Sequence, residues 1–546
     1  MNRMHNSAPP RITDEAVLDS AHIGDIKGAL GTIRRGDVAR RIGWRARLTT
    51  LLAIAGPGLI VMVGDNDAGA FSTYAQAGQN YGTSLLWTLA LLIPVLYVNQ
   101  EMVMRLGSVT GVGHARLILE RFGKFWGAFS VIDLFILNAL TIVTEFIGIG
   151  LGLDYLGVPK LVGIAAAAVV VTAIVSTGSF RVFERFALAL VLGSLLLVPF
   201  ILMVDPPLGP IVRDTLIPNF PQGAKLSEVM LLIIAIVGTT VAPWQLFFQQ
   251  SYVIDKRITP RFASYQRADL FIGIVIVIVG AMAIMAGANT VFAGHPEFTN
   301  FVDTGAVARG IGKYAGRAPA VMFTIALIDA CLIGAVAVSL STAYAIGDVL
   351  SLKHSLHRKP TDAIGFYVIY VVLIVVAAAL VLIPGAPLGL LTNAVQTLAG
   401  ILLPSASVFL LLLCNDKAVL GPWVNGKKFN IFTSLTVGVL VILSVILTGS
   451  VIFPDISEKA ILSILGGGVV IGLIAGAAMM LIGRKRQFEA EAPASVALRD
   501  SWRMPPLNQL KPASLSIRYR FWMGTLRVYL IVATIMAFYK FIQVAF

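Results

Sequence analysis

Charge is scarce in this sequence. Only 13% of its 546 residues are Asp, Glu, Lys or Arg, and 57% are hydrophobic, whereas a soluble domain carries about 25% charged residues. The mean hydropathy of +0.84 points the same way. Such a chain cannot cover itself with a polar surface, which excludes a soluble enzyme, a disordered regulator and a fibrous protein. Cysteine is nearly absent. Cys331 and Cys414 stand alone in apolar runs, which excludes a disulfide framework and a cysteine-based zinc site and leaves packing as their role. The first residues, MNRMHNSAPPRITDE, are polar with no hydrophobic core, so no cleavable signal peptide is expected. Acidic residues are outnumbered 29 to 42, a net charge of +13. In a soluble protein that surplus would suggest nucleic acid; here its placement along the chain decides.

Long apolar runs are what the sequence has in abundance. A membrane-crossing helix needs about 20 mostly apolar residues, and thirteen stretches qualify: roughly 50–79, 83–105, 124–155, 160–177, 183–204, 226–253, 267–293, 318–348, 362–384, 387–414, 430–453, 459–483 and 521–545. We number them spans 1 to 13. Spans 3 and 8 are long enough to tilt or to extend beyond the bilayer. All are far longer than barrel strands, so an all-α polytopic membrane protein is predicted. If the N-terminus is cytoplasmic, 33 of the 42 basic residues fall on inner segments, seven on outer loops and two, Arg527 and Lys540, in the last span. That asymmetry is the positive-inside rule. It accounts for the basic surplus with the lipid bilayer as partner and no nucleic acid. The expected setting is a bacterial cytoplasmic membrane, with the C-terminus outside if all thirteen spans cross.

Two spans are interrupted. Span 1 holds Gly56-Pro57-Gly58 and then Gly64-Asp65-Asn66-Asp67-Ala68-Gly69-Ala70, and carboxylates in mid-membrane are costly enough to imply a function. Span 6 holds Gly238-Thr239-Thr240-Val241-Ala242-Pro243-Trp244-Gln245. Pro243 removes a backbone donor and frees carbonyls around Thr239 and Ala242. Unsatisfied backbone at membrane depth survives only where it is buried or lines a site. Taken singly, Pro243 reads as a kink and Asp67 as a helix cap. Together they lie five spans apart and so enter the membrane from opposite sides, the signature of an inverted-repeat transporter with its site between the broken helices. The implied organisation is a basic segment 1–47, a five-helix repeat 48–204, an outer loop 205–225, a second repeat 226–415, peripheral helices 416–483, a basic segment 484–520 and a further span in 521–546.

An anionic side chain facing freed carbonyls suits a cation, and Asp67 would repel an amino-acid carboxylate. The candidate ligands are all oxygen: Asp67, carbonyls near Ala68, Thr239 and Ala242, and Gln396 of span 10, with Asp65 and Asn66 in reserve. Oxygen-only sites suit hard ions such as Mg²⁺, Ca²⁺ and Mn²⁺. Small Ala68, Ala70 and Ala242 leave room for retained water. Trp244 is either a wall of the site or a packing aromatic. Glu145, Asp133 and Asp329 are pathway groups or interhelical pins, and Glu101 with Arg105, four apart, reads as a structural ion pair.

These residues resemble the Nramp family of divalent-metal transporters. GPGLIVMVGDNDAGAFSTYAQAG aligns without a gap on the family's first span, with Asp67 and Gly69 on its Asp and Gly. Thr240-Val241-Ala242-Pro243-Trp244-Gln245 matches its T-V-M-P-H-N, Arg105–Gly111 its R-L-G-x-x-T-G, and Gln396 and Pro404 keep its spacing in span 10. The resemblance implies a LeuT-like fold in which spans 1–5 and 6–10 are inverted repeats, 12 to 13 spans in all. It also implies alternating access and no cofactor beyond the transported ion. Three departures carry information. The family's metal-binding Met is Ala242, its metal-binding Asn is Ala70 and its span-6 His is Trp244. Loss of the soft sulfur removes a filter against Mg²⁺. In span 3, Glu145 is kept while the family's proton-route Asp is Ile142. The pattern looks like the Nramp-related magnesium transporters, which carry Mg²⁺ and Mn²⁺ without evident proton coupling. The alternatives are a proton-coupled Mn²⁺/Fe²⁺ importer or, from another class, a receptor or enzyme on the same scaffold. No nucleophile or paired acid–base constellation supports an enzyme.

Overall fold

A computed structural model describes residues 16–383, 388–453, 456–485, 499–500, 502–513, 523–532 and 535. Among these, nine helices are long and apolar enough to cross a membrane, or ten with the bent pair Trp44–Ile54 and Pro57–Val63 counted as one. Spans 1 to 11 all appear as helices where the apolar runs place them. Span 4, Lys160–Val175, has only 16 residues, which at 1.5 Å per residue is about 24 Å. Span 12 is the helix Glu458–Lys485. Span 13 is described over Met523–Val532 and at 535, and the rest of it lies outside the described residues, as do the first fifteen residues and much of the basic segment 484–520.

Both interruptions exist, and span 1 is broken twice. Trp44–Ile54 and Pro57–Val63 meet at 55°, and a second break at 64–67 separates Pro57–Val63 from Ala68–Tyr81. At the first break Gly56 adopts a φ of 147°, and a Cβ there would lie 2.4 Å from the Glu184 carboxylate; only glycine meets both conditions. The freed amides are not left bare. Asp269 of span 7 accepts from Gly56 N at 3.0 Å and from Gly58 N at 2.7 Å, satisfying the open start of the half-helix. Span 6 divides into Leu226–Thr240 and Pro243–Asp255, with Pro243 in the first turn, where its missing N–H costs nothing. Span 6 is thus fully interrupted, as the paired breaks imply, and not merely kinked. Span 7 packs along both Pro57–Val63 and Ala68–Tyr81 of span 1, and span 8 along span 3.

The N-terminal segment, read from sequence only as basic and polar, is partly folded. A turn at Ser20–His22 leads into an antiparallel hairpin of β1 (Ile26–Gly28) and β2 (Gly31–Ile33), with Ile26 opposite Ile33. Three-residue strands are below what alternation can reveal. The segment closes one face of the helical body. Arg358 grips Asp19 through Nε at 2.9 Å and Nη2 at 2.5 Å, Asp19 accepts from His354 N at 2.9 Å, and Arg257 donates to Ala21 O and Asp25 O.

The electrostatics of this contact give it a pH signature. Burial opposes the Asp19 charge, but Arg358 and the Ala21 amide hold its carboxyl down at about 2. Burial alone would lower His354; the Asp348 carboxylate 2.9 Å away overrides it and raises the imidazole to about 9. Burial keeps His22 neutral, below its ordinary value. The groups facing His354 are Asp348 and Tyr344 of span 8, Asp255 of span 6, and Asp19 and His22. A raised histidine stabilises fully below its ordinary 6.5 and ceases to do so as pH climbs through about 9. A depressed aspartate stabilises above 3.8 and is lost as pH falls toward about 2. The lowered His22 works the other way and costs stability as pH falls below its ordinary 6.5, so docking is strongest near pH ~6.5 and weakens toward pH ~9. Amide-exchange protection of residues 16–33, corrected for intrinsic rates, is expected to fall between pH 6 and 9.5; equal protection at both would refute this account.

Candidate functional site

The middle of the body is built from the two breaks and two neighbours. Asp67 caps the helix Ala68–Tyr81 of span 1, its Oδ1 accepting from Ala70 N at 2.9 Å. Glu145 of span 3 reaches the same helix start, with Oε2 accepting from Ala68 N at 3.2 Å. Gln396 of span 10 lies directly on Gly69: a Cβ there would come within 1.7 Å of the Gln396 amide. Asp65 accepts a hydrogen bond from Gln245 of span 6, and Gln245 in turn accepts from Gln100 of span 2 at 2.9 Å. One helical turn further along, Tyr74 OH and Thr240 Oγ1 are 2.7 Å apart. The two broken helices are thus tied together by Asp65–Gln245 on one side of the breaks and Tyr74–Thr240 on the other.

The remaining expected residues fall into two groups. Thr239 is buried in the last turn of Leu226–Thr240, its hydroxyl without a partner. Ala242 lies between the half-helices, where its carbonyl accepts from Gln245 N at 3.2 Å. Trp244 is fully buried beside Gly64, with its indole N–H unpartnered. Asn66, by contrast, turns away from the breaks and donates to Val277 O of span 7 at 3.1 Å. Asp133 pins span 3 to span 10 through Ser405 at 2.8 Å. Asp329 is packed against Gly193 of span 5. Glu101 pairs with Arg105 at 3.1 Å and with Arg267 at 2.9 Å, a structural role.

Three carboxyl groups, Asp65, Asp67 and Glu145, therefore meet at membrane depth with no Lys or Arg bonded to any of them among the described residues. No group of three His, Cys, Asp or Glu among those residues is arranged to hold a metal by itself. A cation here would need amide and carbonyl oxygens as well, which hard ions accept. A cavity of about 320 Å³ leads to this point from the face opposite the N-terminal segment, bounded by Thr73, Asn80, Tyr81, Glu228 and Gln396. Toward the other face the polar groups continue as Gln100, Asn99 and Gln249, all fully buried. Sequence reasoning missed this polar row. The spacing of Gln245 and Gln249, four apart and so on one helix face, was the available signal.

Comparison with known proteins agrees with this architecture. The chain is 29% identical over 395 residues to the divalent metal cation transporter MntH of Ralstonia nicotianae, covering 69% of this chain and 86% of that protein. It is 27% identical over 453 residues to the MntH of Xylella fastidiosa strain Temecula1, covering 79% and 90%. The crystal structure of the Eremococcus coleocola manganese transporter in complex with an aromatic bis-isothiourea substituted compound superposes with a TM-score of 0.61 at 19% identity, over 82% of this chain and 98% of that one. A mutant of the same transporter gives 0.64 at 20% identity, over 87% and 100%. The fold is thus the LeuT-like one. Residues 58–450 match the family model for Nramp, natural resistance-associated macrophage protein-like, and the chain belongs to that family.

Proposed function

We propose that this protein imports divalent metal ions, Mg²⁺ and Mn²⁺, by alternating access around the breaks of spans 1 and 6. The observation that carries the reading is the convergence of Asp67, the Gly69–Gln396 contact and the Asp65–Gln245 bridge at the inner end of an open cavity. With the N-terminus cytoplasmic, that cavity faces outward and the N-terminal hairpin closes the inner side. The ion substrate enters from the cavity, exchanges part of its hydration for Asp67, Gln396 and carbonyls near Ala68, Thr239 and Ala242, and leaves past Gln245 and Gln249. A membrane potential of 100 mV contributes about 2.3 kcal/mol per charge, roughly twice that for a divalent ion. Membership of the Nramp family and the transporter names of the relatives support metal import.

Selectivity follows from what position 242 lacks. Alanine offers only its carbonyl, so no sulfur disfavours Mg²⁺. Ala242→Met is expected to raise the Mn²⁺ to Mg²⁺ uptake ratio several-fold, and an unchanged ratio would mean that this side chain does not face the ion. Ile142 leaves span 3 without a second titratable group beside Glu145, which favours uncoupled transport. The proton-coupled Mn²⁺ importer is the rival, supported by Glu145 at Ala68 N. Proteoliposomes holding a pH-sensitive dye separate the two. Competition between Mg²⁺ and Mn²⁺ without internal acidification is expected; metal-linked acidification, or Mn²⁺ uptake indifferent to excess Mg²⁺, would overturn the magnesium reading.

A further inference from the structure

Where the chain first enters the helical body there is a second cavity, of about 540 Å³, far from the broken helices' mid-membrane contact. Four arginines line it: Arg40, Arg41 and Arg47 around the start of the helix Trp44–Ile54, and Arg261 from the turn before span 7, with Tyr265 beside it. Asp37 neutralises one of them, pairing with Arg41 at 2.7 Å, and Arg261 is held over the cavity by the Asp37 and Ala39 carbonyls. Arg40 and Arg47 have no acidic partner among the described residues. The helix adds its own field: Gly43, also in the lining, is its N-cap and supplies no side-chain cap, so the first amides remain open.

One apolar track leads away from this basic cavity. Trp44, Leu48 and Leu52 are spaced by four and so share a helix face, and they are 69%, 43% and 37% exposed. A free phosphate would use the arginines and ignore that track; a phospholipid uses both. We propose that this cavity binds the phosphate headgroup of an anionic phospholipid, with its acyl chains lying along Trp44, Leu48 and Leu52. The general attraction of basic loops to anionic membranes does not require a cavity shared by two elements. Here the headgroup would bridge the first half-helix of span 1 to the turn before span 7.

The test uses the purified full-length chain in detergent, titrated with phosphatidylglycerol, phosphatidylcholine, inorganic phosphate and ATP, and read by native mass spectrometry. Phosphatidylglycerol is expected to be retained in preference to phosphatidylcholine. Since each basic residue near an anionic surface contributes about fivefold, Arg40→Gln/Arg47→Gln should weaken retention at least tenfold. Leu48→Ser/Leu52→Ser, which leaves every arginine in place, should weaken it too. Equal retention of the two lipids, or equal retention by wild type and the arginine variant, overturns the proposal. Phosphate or ATP binding as tightly as the lipid also overturns it, by assigning the cavity to a soluble anion. Because the readout is binding, it stands or falls independently of transport.

Discussion

Replacing Asp67 with asparagine is expected to reduce metal uptake at least tenfold while leaving the protein folded. The substitution separates the two things this side chain does. As a cap, Asp67 presents an oxygen to Ala70 N at 2.9 Å, and asparagine caps about as well as aspartate; the start of Ala68–Tyr81 therefore survives. As a ligand it presents a charge. Two unit charges about 4 Å apart attract by about 4 kcal/mol at the screening typical of protein sites. Even a third of that is about tenfold in affinity, and the second charge of a divalent ion adds to it. Asp67→Ala loses the cap as well, about 1 kcal/mol more. Uptake of Mg²⁺ and Mn²⁺ into proteoliposomes, beside thermal unfolding of each variant, distinguishes the roles. Wild-type uptake by Asp67→Asn would remove Asp67 from the site, whereas lost uptake with unchanged unfolding assigns it the charge.

What could be read from the chain alone follows from how the membrane constrains it. Apolar length announces a helix, so spans 1 to 11 were visible; a charge within such a run must be explained, so Asp67 and the break around it were too. Contacts made by residues far apart in sequence left no such mark. Asp269 lies 211 residues from the Gly58 amide it satisfies, and nothing in span 7 says which helix start it will meet. Asn66 stands between two candidate site residues, yet its side chain packs against span 7, where Gly280 leaves a hollow into which its amide fits. Neighbours on a broken helix have no fixed angular relation, so spacing could not tell Asn66 from Asp65 or Asp67. Gln396 was named for its amide oxygen and kept by the resemblance; Gly56-Pro57-Gly58 stood out in the interruption of span 1, but nothing in that tripeptide told that it would be a break separate from the one at 64–67.

That extra break makes Lys256 the position with the largest expected effect on conformation. Its ammonium donates to Ile54 O at 2.9 Å and Ala55 O at 2.6 Å, the free carbonyls ending the first half-helix, and to Glu184 of span 5 at 2.6 Å. Glu184 also accepts from Tyr252 OH at 2.9 Å and from the Ala29 amide of the N-terminal hairpin. Both charged side chains are completely buried. Half-helix, hairpin, span 5 and span 6 are therefore held by one ion pair at the break that must move if the face closed by the hairpin is to open. Removing one partner of a buried pair costs about 3–5 kcal/mol, because the other charge is left unpaired, whereas replacing both with apolar residues is often neutral. In Lys256→Met the face closed by the hairpin is expected to loosen. A reporter cysteine, Ala53→Cys, packed against the hairpin at Gly31, should then react with a membrane-impermeant thiol reagent at least tenfold faster than in the otherwise unchanged protein. Lys256→Met/Glu184→Leu should return most of the protection. Were Lys256→Met alone to leave the rate unchanged, the pair would not be what holds that face closed. Were the double variant as reactive as the single, the bonds to Ile54 O and Ala55 O, rather than the unpaired Glu184, would be what the closed state depends on.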